Sequence, residues 1–237
     1  MHQKFKYLPL AALILSSLFS TANANTVTVS GTILYDAVRD GTTFDRWNIN
    51  MLNAGNFNVN VLAFESTSNE AIDASDINGD GEFTYLDPDT YFYKNTHSAL
   101  LEADFLARCD DIENNCNTID TPTIKLHSLS EIEGAEDGSI HFRRDPAFNV
   151  TLAAGDYLYL MADYRLSTSD AEEGFDFGND FKIDSDHADY QITFSSNTMN
   201  FDVSGNTINV SAVPVPAAVW LFGTSILGLF ARKKLVS

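Results

Sequence analysis

Oxygen-bearing side chains recur at regular spacing in the string Asp76-Ile77-Asn78-Gly79-Asp80-Gly81-Glu82-Phe83-Thr84-Tyr85-Leu86-Asp87. Oxygens stand at positions 1, 3 and 5, a glycine at 6, an apolar residue at 8 and a carboxylate at 12. Calcium takes six to eight hard oxygen ligands around a tight turn, and this spacing supplies them. The expected ligands are the side chains of Asp76, Asn78, Asp80 and Asp87 and the carbonyl of Glu82, with Thr84 acting through its hydroxyl or a water. The alternative is a solvated acidic turn. Two further acidic groups, Asp110-Asp111 and the stretch holding Asp176, Asp180, Asp184, Asp186 and Asp189, fit no loop template, and for them the solvated turn is at least as good a reading.

The two cysteines, Cys109 and Cys116, bracket a short polar loop. In an exported chain this spacing suggests a disulfide. Zinc is the rival, but it takes four ligands, and His97, His127, His141 and His187 are scattered. Enzyme signatures are missing from the sequence: no G-x-S-x-G, no H-E-x-x-H, no phosphate loop and no dinucleotide-binding glycine pattern. Carboxylate pairs for glycoside hydrolysis could be chosen freely from 33 acids, so any one choice is uninformative.

Charge limits the partners. Among 237 residues, 33 are acidic and 14 basic. Five of the basic residues (Lys4, Lys6, Arg232, Lys233, Lys234) lie in the terminal segments, and all the acids lie between Asp36 and Asp202. Nine basic residues against 33 acids leave the central body a formal charge of −24. Such a body repels nucleic acid and anionic membrane surfaces and attracts divalent cations. A hydrophobic content of 44% argues against a disordered acidic tail.

The elements that must position these groups read as strands. Thr26–Ser30, Asn56–Val61 and Tyr190–Ser195 alternate apolar with polar, and Asp156–Ala162 is apolar nearly throughout, as expected of a strand buried on both sides. No long stretch carries a helical stripe. The expected fold is all-β, a single antiparallel sandwich or jelly roll over residues 25–210. Ser195–Asn200 reads as a linker, and Pro88, just past the acidic string, opposes an exiting helix.

At the N-terminus, Lys4 and Lys6 precede an apolar run from Tyr7 to Phe19 and then Ala22-Asn23-Ala24, the order of a secretory signal peptide over residues 1–24. At the C-terminus, Val213-Pro214-Val215-Pro216 precedes an apolar run from Ala217 to Ala231 and the cluster Arg232-Lys233-Lys234. Fifteen helical residues reach about 22 Å, short of a ~30 Å hydrocarbon core, and the basic cluster would stay cytoplasmic.

This tail, residues 211–237, resembles the PEP-CTERM sorting signal of Gram-negative exoproteins, with Val215 where that signal usually has Glu. The resemblance implies a membrane-tethered intermediate and recognition by an exosortase, which would process the tail and pass the protein to the cell surface or extracellular matrix. More loosely, Asp87–Tyr93, Asp110-Asp111, Leu152–Leu160 and Tyr190–Phe194 resemble, in order, pre-peptidase C-terminal-type β-sandwich domains, which implies an accessory role. The string at 76–87 resembles an EF-hand-type loop set among strands. Two functions follow as expectations. One is a non-catalytic, calcium-stabilised, structural or adhesive matrix component; in one version exposed aromatics such as Trp47, Tyr91 or Tyr93 bind polysaccharide, although core packing is the more frequent fate of such residues. The other is a secreted hydrolase of matrix polysaccharide.

Overall fold

The computed structural model describes residues 25–63, 65–66, 75–76, 86–96, 99–110, 119–129, 145–178 and 186–214. Its strands, numbered in chain order, begin with β1 (Asn25–Asp36), β2 (Gly41–Thr42), β3 (Asp45–Met51), β4 (Gly55–Ala63), β5 (Glu65–Ser66), β6 (Ser75–Asp76), β7 (Pro88–Lys94) and β8 (Phe105–Cys109). They continue with β9 (Ile119–Asp120), β10 (Ile124–Ser128), β11 (Ala147–Leu152), β12 (Gly155–Asp163), β13 (Asp176–Phe177), β14 (His187–Ser196), β15 (Met199–Ser204) and β16 (Thr207–Ala212). One short helix, α1 (Thr168–Glu173), lies between β12 and β13.

Two sheets carry the fold. The larger has the order β13-β2-β1-β14-β4-β11-β10-β9 and the smaller β15-β16-β3-β12-β7-β8. The alternating strands face the core as their sequences require: Phe57, Val59 and Val61 of β4 and Ile192 and Phe194 of β14 are buried, while their polar neighbours face outward. From the smaller sheet, Trp47, Ile49, Phe92, Tyr159 and Met161 complete the same apolar core. Aromatic rings interlock across it, with Phe92 edge-on to Phe148 at 5.9 Å and Tyr159 edge-on to Phe194 at 6.0 Å. The two sheets form an all-β sandwich.

β12 is the strand expected to be buried on both sides, and it lies between β3 and β7 with Tyr159, Leu160, Met161 and Ala162 all buried. Its second face is covered by a smaller apolar layer. Leu100, Leu166 and Ala171 of α1 pack there with Tyr91, Tyr93, Leu160 and Ala162.

Two sequence expectations need correction. Ser195–Asn200 is not a linker: β14 runs to Ser196 and β15 starts at Met199, and the Ser196 hydroxyl accepts the N–H groups of Thr198 (3.1 Å) and Met199 (3.2 Å) in a tight hairpin. The pairing is not wholly antiparallel, because β16 lies parallel to β3, with Ile208 opposite Ile49. The hairpin β15–β16 folds back to cover an edge strand laid down far earlier in the chain, which frees it from the short-connection geometry that makes neighbours antiparallel. Of the two fates open to Trp47, Tyr91 and Tyr93, the structure shows core packing: they are 7%, 3% and 1% exposed.

A buried polar relay links the sheets. Trp47 Nε1 donates to Tyr190 Oη at 3.0 Å, and Tyr190 Oη donates to Asp45 Oδ2 at 2.6 Å. Gly31 faces Tyr190 across β1 and β14, and a Cβ there would stand 2.3 Å from Tyr190 Oη and 2.4 Å from Asp45 Oδ2. Tyr190→Phe removes the acceptor of a buried indole N–H, so we expect a loss of about 1–3 kcal/mol. Gly31→Ala should cost at least as much, read from urea midpoints at constant m-value. Unchanged midpoints in both variants would show that the relay does not hold the sheets together.

Candidate functional site

The carboxylates predicted as calcium ligands divide between the described residues and those outside them. Asp76 ends β6, whose backbone pairs Glu65 with Asp76. Asn78, Asp80, Glu82 and Thr84 lie outside the described residues. Asp87 is described and half-buried, immediately before β7, which starts at Pro88. A strand and not a helix therefore leaves the twelve-residue string, in keeping with a proline that cannot supply a helical N–H.

Asp87 sits among buried acids. Its backbone N–H donates to Asp163 Oδ1 at 2.9 Å. Asp163 is the last residue of β12, 3% exposed, and pairs in register with Pro88. Burial pushes its carboxyl up to about 8; the N–H groups of Asp87 and Tyr164 pull it down, and the carboxylates of Asp87 and Asp176 push it further up. Asp176, in β13, is also buried, and lies opposite Thr42, whose hydroxyl oxygen has no hydrogen-bond partner among the described residues. Here the structure brings Asp87, from the calcium string, together with Asp176, from the second acidic stretch. Asp163, which no motif flagged, joins them.

A second group of acids lies one residue further along β7. Asp89 is fully buried, and its Oδ2 is 2.6 Å from the Arg108 guanidinium on β8. Arg108 Nη2 also reaches Asp110 Oδ2 at 2.9 Å, so one cation serves two buried carboxylates. The Tyr91 hydroxyl lies 2.5 Å from Asp89 Oδ2 and 2.8 Å from the Leu166 carbonyl oxygen. Burial raises Asp89 to about 7 in spite of the opposing pull of Arg108 and Tyr91; burial lowers Arg108, but the hydrogen bond and charge of Asp89 outweigh it and raise Arg108. The short charged contact on Oδ2 favours the ionised form, and we take Asp89 and Arg108 as an ion pair at neutral pH.

These groups have the donor chemistry of a hard-cation site, because all the oxygens come from carboxylates, carbonyls and a hydroxyl. Among the described residues, however, no three His, Cys, Asp or Glu side chains gather closely enough to hold a metal. A calcium site would therefore depend on the string that leads into Asp87.

The remaining predicted residues are dispersed. Cys109 ends β8, buried, and there is no free cysteine among the described residues. Its expected partner Cys116 lies outside them, as do Asp111, Asp180, Asp184, His97 and His141. His127 is exposed on β10, and His187 Nδ1 contacts Asp186 at 2.8 Å. Asp189 accepts the Thr32 hydroxyl at 2.5 Å. Val213 and Pro214 follow β16; Val215, Pro216, Ala217, Arg232, Lys233 and Lys234, and residues 1–24, expected to be a signal peptide, lie outside the described residues. Among the described residues no helix is long and apolar enough to cross a membrane. No protein-family model, curated protein or solved structure matches the chain.

Asp163 has its folded value near 8 against an ordinary 3.8, so the folded state keeps a proton that the unfolded chain releases. Its contribution to stability is complete below about pH 4 and is lost as the pH rises through 8. In chelator, stability should fall across this window with a slope from this group of roughly 1 kcal/mol per pH unit, and Asp163→Asn should flatten the profile. Equal slopes in the two proteins would remove Asp163 as the cause. Arg108→Ala leaves Asp89 and Asp110 without their shared cation and is expected to cost about 3–5 kcal/mol in denaturant melts.

Proposed function

We propose that the chain is an exported, non-catalytic β-sandwich protein, stabilised by calcium and sorted through its C-terminal segment to the cell surface or extracellular matrix. The observation that carries the metal part is the placement of Asp87. The twelfth residue of the acidic string is anchored by its backbone on a buried aspartate, with a further buried acid beside it. A cation bound through Asp76, Asn78, Asp80, the Glu82 carbonyl and Asp87 would tie β6 to β7 and offset local repulsion in a body of formal charge −24. An extracellular calcium level would fill even a site of ~10⁻⁴ to 10⁻³ M affinity.

The sorting part rests on the order of proline-containing segment, apolar run and basic cluster, and on the acidic sandwich before them. A signal peptidase would remove residues 1–24, and an exosortase-type protease would act near Val213–Ala217. Export also suits a bridge between Cys109 and Cys116, which would close the loop after β8. The accessory role fits how the buried acids are used: Asp89 and Asp110 hold Arg108, and Asp45 holds Tyr190.

Melting in calcium and in chelator tests the metal. Calcium at about a hundred times its dissociation constant should raise the midpoint by roughly 5–10 °C, and the gain should vanish in Asp80→Asn. Equal midpoints with and without calcium would remove the site. Release of reducing ends from a matrix polysaccharide by the purified protein would make it a hydrolase instead, and recovery of the unprocessed chain from cytosol would defeat the export reading.

A further inference from the structure

The larger sheet turns one face to the core and the other to solvent, and over β1, β14, β4 and β11 the outward side chains between Leu62 and the β14–β15 hairpin are uncharged; the charges on this face flank them, Asp189 with Thr32 beyond Leu62 and the exposed Lys125–Asp120 pair (2.7 Å) on β10 and β9. Thr26 of β1, Ser195 of β14, Asn58 of β4 and Asn149 of β11 stand side by side in one cross-strand row. Beside it run Thr28 with Thr193, and Asn56 with Thr151. Leu62 and Ala147, both buried, bound the open face at one end. At the other, the β14–β15 hairpin forms a groove of about 280 Å³ whose lining, including Asn56, Asn58, Ser196, Asn197 and Thr198, is again uncharged.

In a body of formal charge −24, a neutral face has consequences for what can bind. Anions are repelled by the whole molecule, and cations are drawn to its acidic regions. A ligand selective for this face must be uncharged and rich in groups that both donate and accept hydrogen bonds, as amides and hydroxyls do. The face is also held ready. Asn149 Nδ2 donates to Asn58 Oδ1 at 2.7 Å and to Asn56 Oδ1 at 2.9 Å, and Asn56 Nδ2 donates to Thr151 Oγ1 at 2.9 Å and to Asn149 Oδ1. The hydroxyls of Thr28 and Thr193 are 3.3 Å apart. These bonds fix the side chains, while the Asn58 amide N–H groups keep no partner among the described residues. Fixing polar groups in advance lowers the ordering cost of binding. Neighbouring strands stand about 4.8 Å apart, close to the advance of one residue along an extended hexose polymer.

We propose that this face binds a neutral polysaccharide laid across the strands β1, β14, β4 and β11, with a sugar residue seated in the groove beside Asn58. The proposal names a partner for the surface protein inferred above, and rests on that reading only for the presence of such a polymer around it.

The test is depletion of the purified full-length protein from solution by a panel of uncharged insoluble polymers: amorphous cellulose, chitin, curdlan and starch granules. Alginate beads serve as the anionic control. We expect retention on at least one neutral polymer, unchanged in 1 M salt, and none on alginate. Asn58→Asp keeps the acceptor that Asn149 uses and places a charge on the face; it should weaken retention at least tenfold with an unchanged melting midpoint. Asp156→Asn, on the other sheet, should bind as the parent does. Binding to none of the polymers, equal binding by Asn58→Asp, or glycan-free self-association through this face in sedimentation would overturn the proposal. Export and tail processing are read separately, from the location and mass of the protein in its producing cell, so failure of the sorting reading leaves the binding result intact.

Discussion

A strand that is apolar on both faces must have a layer on each side, and β12 imposes that requirement on the whole molecule. One side calls for the larger sheet, and the other for the cover built from Leu100, Leu166 and Ala171. Burial of side chains of the size of Tyr159, Leu160 and Met161 contributes about 1.5–3 kcal/mol each, so neither layer is dispensable. The position of α1 follows from this. Its cap is local, with the Asp170 N–H donating to Ser167 Oγ at 3.1 Å and Gly174 at φ 80° closing the other end, but six residues do not make a stable isolated helix. It is held by Ala171 against the outer face of β12 and β7.

The same strand determines where charge is buried. β12 ends on Asp163, and its neighbour β7 begins with Pro88 and Asp89, so the end of the most buried part of the sheet is a set of carboxylates. Removing them from water is unfavourable, and three responses are visible: a cation shared between two acids at Arg108, a backbone N–H given to Asp163, and an upward shift that keeps a proton on Asp163 near neutral pH. Buried acids thus gather at one end of the smaller sheet, while the outward side chains of β1, β14, β4 and β11 between Leu62 and the β14–β15 hairpin are mostly hydroxyls and amides. The molecule has two chemically distinct regions on one scaffold.

Much of the scaffold was legible. Alternation in Thr26–Ser30, Asn56–Val61 and Tyr190–Ser195 states which side chains point inward, and the unbroken apolar run in β12 states that it has no free face. What could not be read was adjacency. Nothing in the local pattern says that β14 lies between β1 and β4, so the polar halves of three separate strands could not be seen as one surface. The parallel pairing of β16 with β3 escaped for the same reason, as it joins segments about 160 residues apart. Asp163 escaped because an aspartate at a strand end resembles a turn residue, and only β7 alongside it removes the water. Whether Trp47, Tyr91 and Tyr93 pack in the core or face a ligand could not be read from β3 and β7 alone, because it depends on which layers cover those strands.

The calcium string shows how local and distant information combine. Its spacing is a purely local statement, and by itself an acid-rich chain produces acidic turns. What changes the argument is that the string's two ends are held by different pairings, Asp76 by β5 and Asp87 through Asp163 on β12. As the proposed ligand loop, the string would then pay less entropy of ordering on binding, because both of its ends are already held. If the string binds calcium as proposed, its last carboxylate, Asp87, is already half-buried, where attraction to a divalent cation is less screened than on an open surface.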